Sequence, residues 1–126
     1  MNLRLIFINI FIILIILPIS VLGQEVILTK EVDKISANPS DIVTYKITYQ
    51  NLTSVSLNEI AIIDVVPANT IFQEAGNMNT TVYYCHDNND DFDTLPILPV
   101  TKVKWLLNNP VEGGGVGSVT LRLKIK

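Results

Sequence analysis

Cysteine and histidine are scarce in this chain of 126 residues, which contains one of each, Cys85 and His86. A single cysteine excludes an intramolecular disulfide framework and a cysteine-rich metal site. Basic residues are also few, because 9 Lys and Arg stand against 12 Asp and Glu, for a formal net charge of −3. Proteins that bind nucleic acid carry basic patches, so this balance argues against nucleic acid as a partner.

Helical patterns are missing as well. In residues 24–126 no sustained run of apolar residues recurs at helical spacing, and Ala occurs only 4 times. In the same residues Val occurs 12 times, and Ile and Thr occur 10 times each. Side chains branched at Cβ fit a pleated sheet better than a helix. The composition therefore predicts an all-β domain.

One long apolar run lies at the N-terminus. A short basic start precedes residues 5–17, which are apolar apart from Asn9, and a stretch with small residues ends at Gly23. This order is typical of a signal peptide, so we predict cleavage after Gly23 and an exported domain of residues 24–126. The alternative is a membrane anchor retained over residues 5–22. That segment has 18 residues, whereas a bilayer span needs about 20 apolar residues. The domain is then expected in the periplasm, on the cell surface or outside the cell.

Alternation of apolar and polar residues predicts the strands. The two-residue period is typical of strands with one buried face, and it places Tyr45, Tyr49 and Trp105 on apolar faces as structural core residues. The predicted strands include 41–49, 57–66, 70–75, 103–107 and 117–126. Turn residues separate about seven strands in all, which predicts a two-sheet antiparallel β-sandwich of the immunoglobulin-like type.

Several motifs, taken in order, resemble a known family. Segment 34–51 reads KISANPSDIVTYKITYQN and segment 62–70 reads IIDVVPANT, and a Trp, a Gly-rich turn and a last alternating strand at 119–126 follow. This order resembles the prokaryotic cell-surface domain catalogued as domain of unknown function eleven, a conserved repeat domain. Ser40 and Val66 replace the Gly and Leu usual there, and this chain has one copy where tandem repeats are common. The resemblance implies an immunoglobulin-like sandwich outside the cytoplasm and implies no enzymatic activity.

These features together predict an exported, non-catalytic structural or adhesive module of the cell envelope. Its expected partners are other envelope or surface proteins, and a second copy that pairs through an exposed strand at 119–125. The membrane is expected as a partner only through residues 5–22, if the signal is not cleaved. The alternative function is a calcium- or glycan-binding module.

Residues 87–93 are the candidate ion site. Oxygen-bearing side chains occupy alternate positions, as in the first half of a calcium loop: Asp87, Asn89, Asp91 and Asp93. The Gly and Glu that such a loop needs are replaced by Phe92 and Leu98. The segment instead resembles an Asp-box hairpin, in which Asp87 caps a tight turn and Asn89 adopts a left-handed conformation. Weak binding of Ca²⁺, the one cofactor considered, stays open.

Cys85 and His86 bring a nucleophile and a base together in the sequence. Consecutive residues of a strand point to opposite faces, so the two side chains are badly placed for the approach that Cys–His catalysis requires. We therefore expect no enzymatic activity, a semi-buried Cys85 and an exposed His86. A disulfide between Cys85 and a partner chain stays open, since an exported protein meets an oxidising environment.

Asp64 is an acidic residue in register with the apolar Ile62 and Val66. We interpret it as a structural group at a strand end, which accepts backbone N–H groups near the Pro67 turn. The alternative is a role in an intramolecular isopeptide bond, known in surface adhesins of related architecture. That bond needs a Lys opposite an Asn or Asp on neighbouring core strands, and Lys46 alternates away from the core face.

Three further features have a simple structural interpretation. Trp105 lies between lysines and could serve as a carbohydrate platform, but its register with apolar neighbours favours a place in the core. Asn51 and Asn79 begin N-glycosylation patterns, which a bacterial host would usually leave unused. The Gly-rich segment 113–117 lacks the Lys-Ser/Thr of a phosphate-binding loop and is expected to be a flexible turn.

Overall fold

The strands of this protein form two antiparallel sheets that pack face to face. This computed structural model describes residues 5–6, 11–16, 25–76 and 79–126. Their strands are β1 Leu5–Ile6, β2 Phe11–Ile16, β3 Val26–Val32, β4 Ser36–Ala37, β5 Ile42–Asn51, β6 Ala61–Val65, β7 Thr70–Gly76, β8 Thr80–Cys85, β9 Phe92–Asp93, β10 Lys102–Leu107 and β11 Val116–Ile125. The prediction of an all-β two-sheet sandwich is confirmed. None of the residues described belongs to a helix that is long and apolar enough to cross a membrane.

The larger sheet has the strand order β2-β3-β5-β11-β7, and the smaller sheet has the order β6-β10-β8-β9. A short pair, β1 with β4, stands apart from both. The long strands β5 and β11 form the middle of the larger sheet, with register from Val116↔Gln50 to Lys124↔Ile42. Because β11 also pairs with β7, residues 119–125 are interior and offer no free edge to a second copy, contrary to the expectation from their sequence.

β2 lies within the predicted signal segment. It pairs with β3 from Phe11↔Glu31 to Ile16↔Val26 and so occupies the outer edge of that strand in the full chain. The predicted cleavage site after Gly23 lies outside the described residues, so the choice between signal and anchor stays a prediction. In a chain cut after Gly23, β2 is removed and β3 becomes an edge strand.

The core lies between the two sheets and is built from the alternating apolar positions. The larger sheet contributes the predicted rows of β5 and β11, and the smaller sheet contributes Trp105 from β10, which is 0% exposed. Phe72 of β7 meets Tyr84 of β8 edge to face, with ring centroids 5.5 Å apart. The largest side chains with almost no exposure are Trp105, Leu28, Ile47, Ile62, Leu121, Leu123 and Ile125.

Tyr49 lies across from Gly117 in the central strand pair. A Cβ atom at position 117 would collide with the phenol ring of Tyr49, so the glycine gives the ring room to lie against the neighbouring strand. Burial in this position raises the pKa of Tyr49 above its usual 10.0. Tyr49 therefore extends the core towards the end of β5.

The turn before β5 holds Ser40 in the left-handed region, with φ of 74°. That conformation costs a residue with a Cβ about 1–2 kcal/mol, whereas a glycine loses about 0.5–1 kcal/mol through its greater freedom in the unfolded chain. We therefore predict that Ser40→Gly raises the free energy of unfolding by about 0.5–1 kcal/mol, measured by urea denaturation. The matched control is Ser118→Gly in the extended strand β11, which should destabilise the domain. A loss of stability in both variants would contradict the prediction.

Candidate functional site

A buried ion pair connects the two sheets. Lys30 of β3 places its Nζ 2.7 Å from Oδ2 of Asp64 in β6, and the two side chains are only 10% and 9% exposed. The contact lacks hydrogen-bond geometry, and Oδ2 has no hydrogen-bond partner among the residues that the structure describes. Oδ1 of Asp64 accepts the N–H of Val65 at 3.1 Å. Asp64 thus accepts one backbone N–H ahead of the Pro67 turn, as predicted, but it also contacts a lysine from the other sheet.

Tyr45 of β5 covers the lysine. Nζ of Lys30 lies 4.5 Å from the centre of the Tyr45 ring, within the range of a cation–π contact. Burial, followed by the negative charges of Asp64 and Asp33, raises the pKa of Tyr45 to about 12. Tyr45 therefore stays neutral at physiological pH and provides a ring that shields the ion pair from solvent.

The sequence does contain a signal for Lys30. Val26, Leu28 and Lys30 alternate along β3, and all three are buried. The lysine therefore occupies a core-facing position of its strand, just as Asp64 does in β6. One Lys and one Asp on two apolar strand faces predict a buried pair, but the alternation does not tell which strands face each other.

At the end of β8, the side chains of Cys85 and His86 point to different surroundings. Cys85 is fully buried, and its thiol donates to the carbonyl oxygen of Asn89 at 2.7 Å. The ring of His86 instead contacts the carbonyl oxygen of Pro99 at 2.8 Å and Oδ1 of Asp93 at 3.0 Å. The two side chains thus have different partners. A disulfide to a partner chain would require this end of β8 to open.

The carboxylates of the candidate ion site make separate contacts. Oδ1 of Asp87 accepts the N–H of Asn89 at 2.8 Å, and Asp93 binds His86. Asn89 does not have a positive φ, so the prediction of a left-handed conformation for this residue is wrong. The physical reason is that the Asp87 side chain closes the turn by itself. Across residues 25–76 and 79–126, no three His, Cys, Asp or Glu side chains are grouped to hold a metal ion. Calcium binding stays an untested prediction.

His86, directly after β8, and Asp93 of β9 form a titratable hydrogen-bonded pair, which we call the clasp. The hydrogen bond to Asp93, and next the one to Pro99, raises the pKa of His86 above its usual 6.5. The hydrogen bond from His86 lowers the pKa of Asp93 below its usual 3.8. The stabilisation linked to His86 is therefore complete below the unfolded pKa of 6.5 and is lost as pH rises through the higher folded value. The part linked to Asp93 is lost as pH falls through the lowered pKa of Asp93.

We predict that the stability advantage of the natural chain over His86→Gln decreases as pH rises from about 6 to about 8. Urea midpoints measured at each pH test this directly. The chain contains one histidine, so its imidazole proton resonance also reports the pKa of His86 without ambiguity. Asp93→Asn should bring that pKa back towards 6.5. A pKa unchanged by Asp93→Asn would contradict the clasp.

Asn51 at the end of β5 is a second buried polar centre. Its Nδ2 lies within hydrogen-bond distance of the carbonyl oxygens of Val55 at 2.8 Å, Val111 at 2.9 Å and Glu112 at 3.0 Å. Its Oδ1 accepts the N–H and the hydroxyl of Thr53, at 2.9 and 2.7 Å. One amide side chain therefore holds together the loop that follows β5 and the loop that precedes β11.

The backbone of Asn51 adds to this junction. Its N–H donates to the carbonyl of Gly115, and its carbonyl accepts the N–H of Gly114, which has a positive φ of 75°. The Gly-rich turn is thus fastened to the end of β5, where the sequence predicted a flexible turn. Because the amide of Asn51 is fully buried, it is not accessible to a glycan in the folded chain, whereas Asn79 is exposed.

The outer face of the smaller sheet exposes apolar side chains at its edge. Ile63 and Val65 of β6 are 46% and 57% exposed, and they stand opposite Lys104 and Lys102 of β10. We call this surface the outer patch; its residues are Ile63, Val65, Tyr83, Phe92, Lys102 and Lys104. Among the strands described, β6 pairs with β10 alone, so its other side is an edge. Apolar side chains beside a strand edge are typical of protein contact surfaces.

Two aromatic rings hold the central cation of the outer patch. Nζ of Lys104 lies 5.0 Å from the centre of the Tyr83 ring and 4.5 Å from that of Phe92. Trp105 follows Lys104 in β10 and points the opposite way, into the core. A buried indole cannot stack on a sugar, so the carbohydrate platform considered for Trp105 does not exist in this structure.

Comparisons with known protein families, with curated proteins and with solved structures found no match. The resemblance to domain of unknown function eleven therefore stays a prediction from the motifs at 34–51 and 62–70. In the structure, the first motif supplies Tyr45 and the second supplies Asp64. Both residues lie at the buried ion pair with Lys30.

Proposed function

We propose that this protein is an exported, non-catalytic structural or adhesive module of the cell envelope, which contacts other proteins through the outer patch. The observation that carries the proposal is the position of two exposed apolar residues, Ile63 and Val65, on an edge strand. The edge offers backbone N–H and C=O groups for strand addition, and covering the apolar side chains contributes about 25 cal/mol per Å². The signal-like residues 1–23 support export.

The outer patch also indicates the chemistry of the partner. Lys104 is held between two rings and has no salt bridge among the residues that the structure describes, whereas Lys102 is paired with Asp90 at 2.7 Å. A partner with an extended apolar segment and an acidic side chain would complement this face. A second apolar group, Leu95, Ile97 and Leu98, is exposed in the segment after β9.

Cell fractionation tests the proposal. The full chain, produced in a bacterial host with a C-terminal tag, should leave the cytoplasm and remain attached to envelope material. The paired variant Ile63→Lys with Val65→Lys should be exported and folded but released from the envelope, because it places charge on the apolar edge. The matched control is Val116→Lys, at a residue 63% exposed in β11, which should stay attached. The proposal would be contradicted if the full chain stayed in the cytoplasm. It would also be contradicted if the Ile63/Val65 double variant stayed attached to the envelope as well as Val116→Lys does.

A further inference from the structure

The Lys30–Asp64 pair brings an amine and a carboxyl group into contact in the protein interior. The two residues belong to different sheets, and Nζ and Oδ2 are 2.7 Å apart. The approach lacks the alignment of a hydrogen bond, and no group in the described part of the chain donates a hydrogen bond to Oδ2. The ring of Tyr45 lies over Nζ on the side of β5. Water therefore has little access to the atoms that are in contact.

We propose that Lys30 and Asp64 condense to form an intramolecular isopeptide bond between the two sheets. Nζ first transfers a proton to the carboxylate, and the neutral amine then attacks Cγ of Asp64. The Cγ–N bond forms, one Cγ–O bond breaks, and that oxygen leaves as water with two of the three ammonium protons. The third proton stays on the amide nitrogen. No oxidant, reductant or activating group is consumed.

Two physical effects favour this condensation. Groups held in contact react as if one were present at about 10⁵–10⁸ M, which offsets the low concentration of either group in solution. Burial deprives both charges of hydration, and proton transfer followed by loss of water removes both charges at once. The exclusion of bulk water by the core also slows the reverse hydrolysis of the amide.

The chain contains a natural control for this reaction. Lys102 and Asp90 are also 2.7 Å apart, but their side chains are 24% and 85% exposed. Their contact is an ordinary hydrogen bond from Nζ to Oδ1, open to solvent. If contact alone were sufficient, both pairs would condense. The burial of the Lys30–Asp64 pair restricts the reaction to that site.

Peptide mapping of the full chain tests the proposal. The protein is denatured and digested with trypsin, and tandem mass spectrometry should find one linked species that contains Lys30 and Asp64 and lacks one water. A linked peptide is the required readout because cyclisation of an N-terminal Gln24, after cleavage of the leader, would also lower the intact mass. Recovery of the two peptides unlinked, with trypsin cleaving after Lys30, would overturn the proposal.

Two lysine variants complete the experiment. Lys30→Met should lack the linked species, and Lys102→Met should keep it. Both variants are analysed after denaturation, so a loss of stability in Lys30→Met does not affect the result. A loss of water that persists in Lys30→Met would place the modification elsewhere and overturn the assignment. The bond involves core residues only, so its presence or absence is independent of the proposed contact through the outer patch.

Discussion

Asn51→Asp is expected to destabilise the domain by about 3–5 kcal/mol, although the two side chains have nearly the same shape. The natural amide donates towards three carbonyl oxygens from a fully buried position. A carboxylate at the same place would face those oxygens with negative charge and no donor. The loops after β5 and before β11 would lose their common anchor. Urea denaturation monitored by circular dichroism measures the effect.

The control for this substitution is Asn79→Asp. Asn79 is exposed, so the same chemical change should alter the free energy of unfolding by no more than about 0.5 kcal/mol. Equal effects at the two positions would show that Asn51 does not anchor the loops through its amide. Asn51→Ala should cost less than Asn51→Asp, about 0.5–1.5 kcal/mol for each hydrogen bond lost, because the carbonyl oxygens of Val55, Val111 and Glu112 each keep a second donor.

Trp105→Ala is expected to cost about 3–5 kcal/mol, because the tryptophan is the largest fully buried side chain of the core. Within residues 25–76 and 79–126 its Nε1 has no hydrogen-bond partner, so the substitution removes packing and leaves no new polar group unsatisfied. Trp105→Phe removes less volume and no hydrogen bond, and should cost roughly half as much. Thermal and urea unfolding followed by circular dichroism compare the two without relying on the fluorescence of the single tryptophan.

The outcome that contradicts this account is a loss in Trp105→Phe as large as that in Trp105→Ala. Such a result would mean that the indole nitrogen contributes a polar interaction beyond its volume. Val116→Ala is the background control. Val116 is exposed at the start of β11, and its truncation should stay within about 0.5 kcal/mol.

The strand boundaries show where sequence patterns lose their power. The alternation predicted a strand over 57–66, but β6 spans only Ala61–Val65, and Leu57 forms an isolated bridge with Val111. Glu59 interrupts the run with a positive φ of 57°. Glutamate gives no local signal for that conformation, because the left-handed region normally favours Gly, Asn and Asp. The sequence therefore gives no indication that the strand begins only after Glu59.

The buried polar centres show the same limit. Asp64 stood out in the sequence because it interrupts an apolar face, yet its partner Lys30 comes from a strand in the other sheet. Asn51 was visible as the last residue of the 34–51 motif and the start of a glycosylation pattern, but nothing local shows that Val111 and Glu112 meet its amide. Partners separated by many residues become apparent only when the strand order is known.

The alternation of apolar and polar residues was sufficient to predict that this chain folds into strands. It also predicted which side of β5, β10 and β11 is buried. Side chains alternate between the two faces of a strand whatever its neighbours are, so the buried face of a strand can be predicted from the sequence alone. Which strands lie next to each other, which edges stay free and which charges meet inside were decided by packing alone. Those features depend on contacts between residues that are far apart in the chain. The two clearest examples are the position of β11 inside the larger sheet and the contact of Lys30 with Asp64.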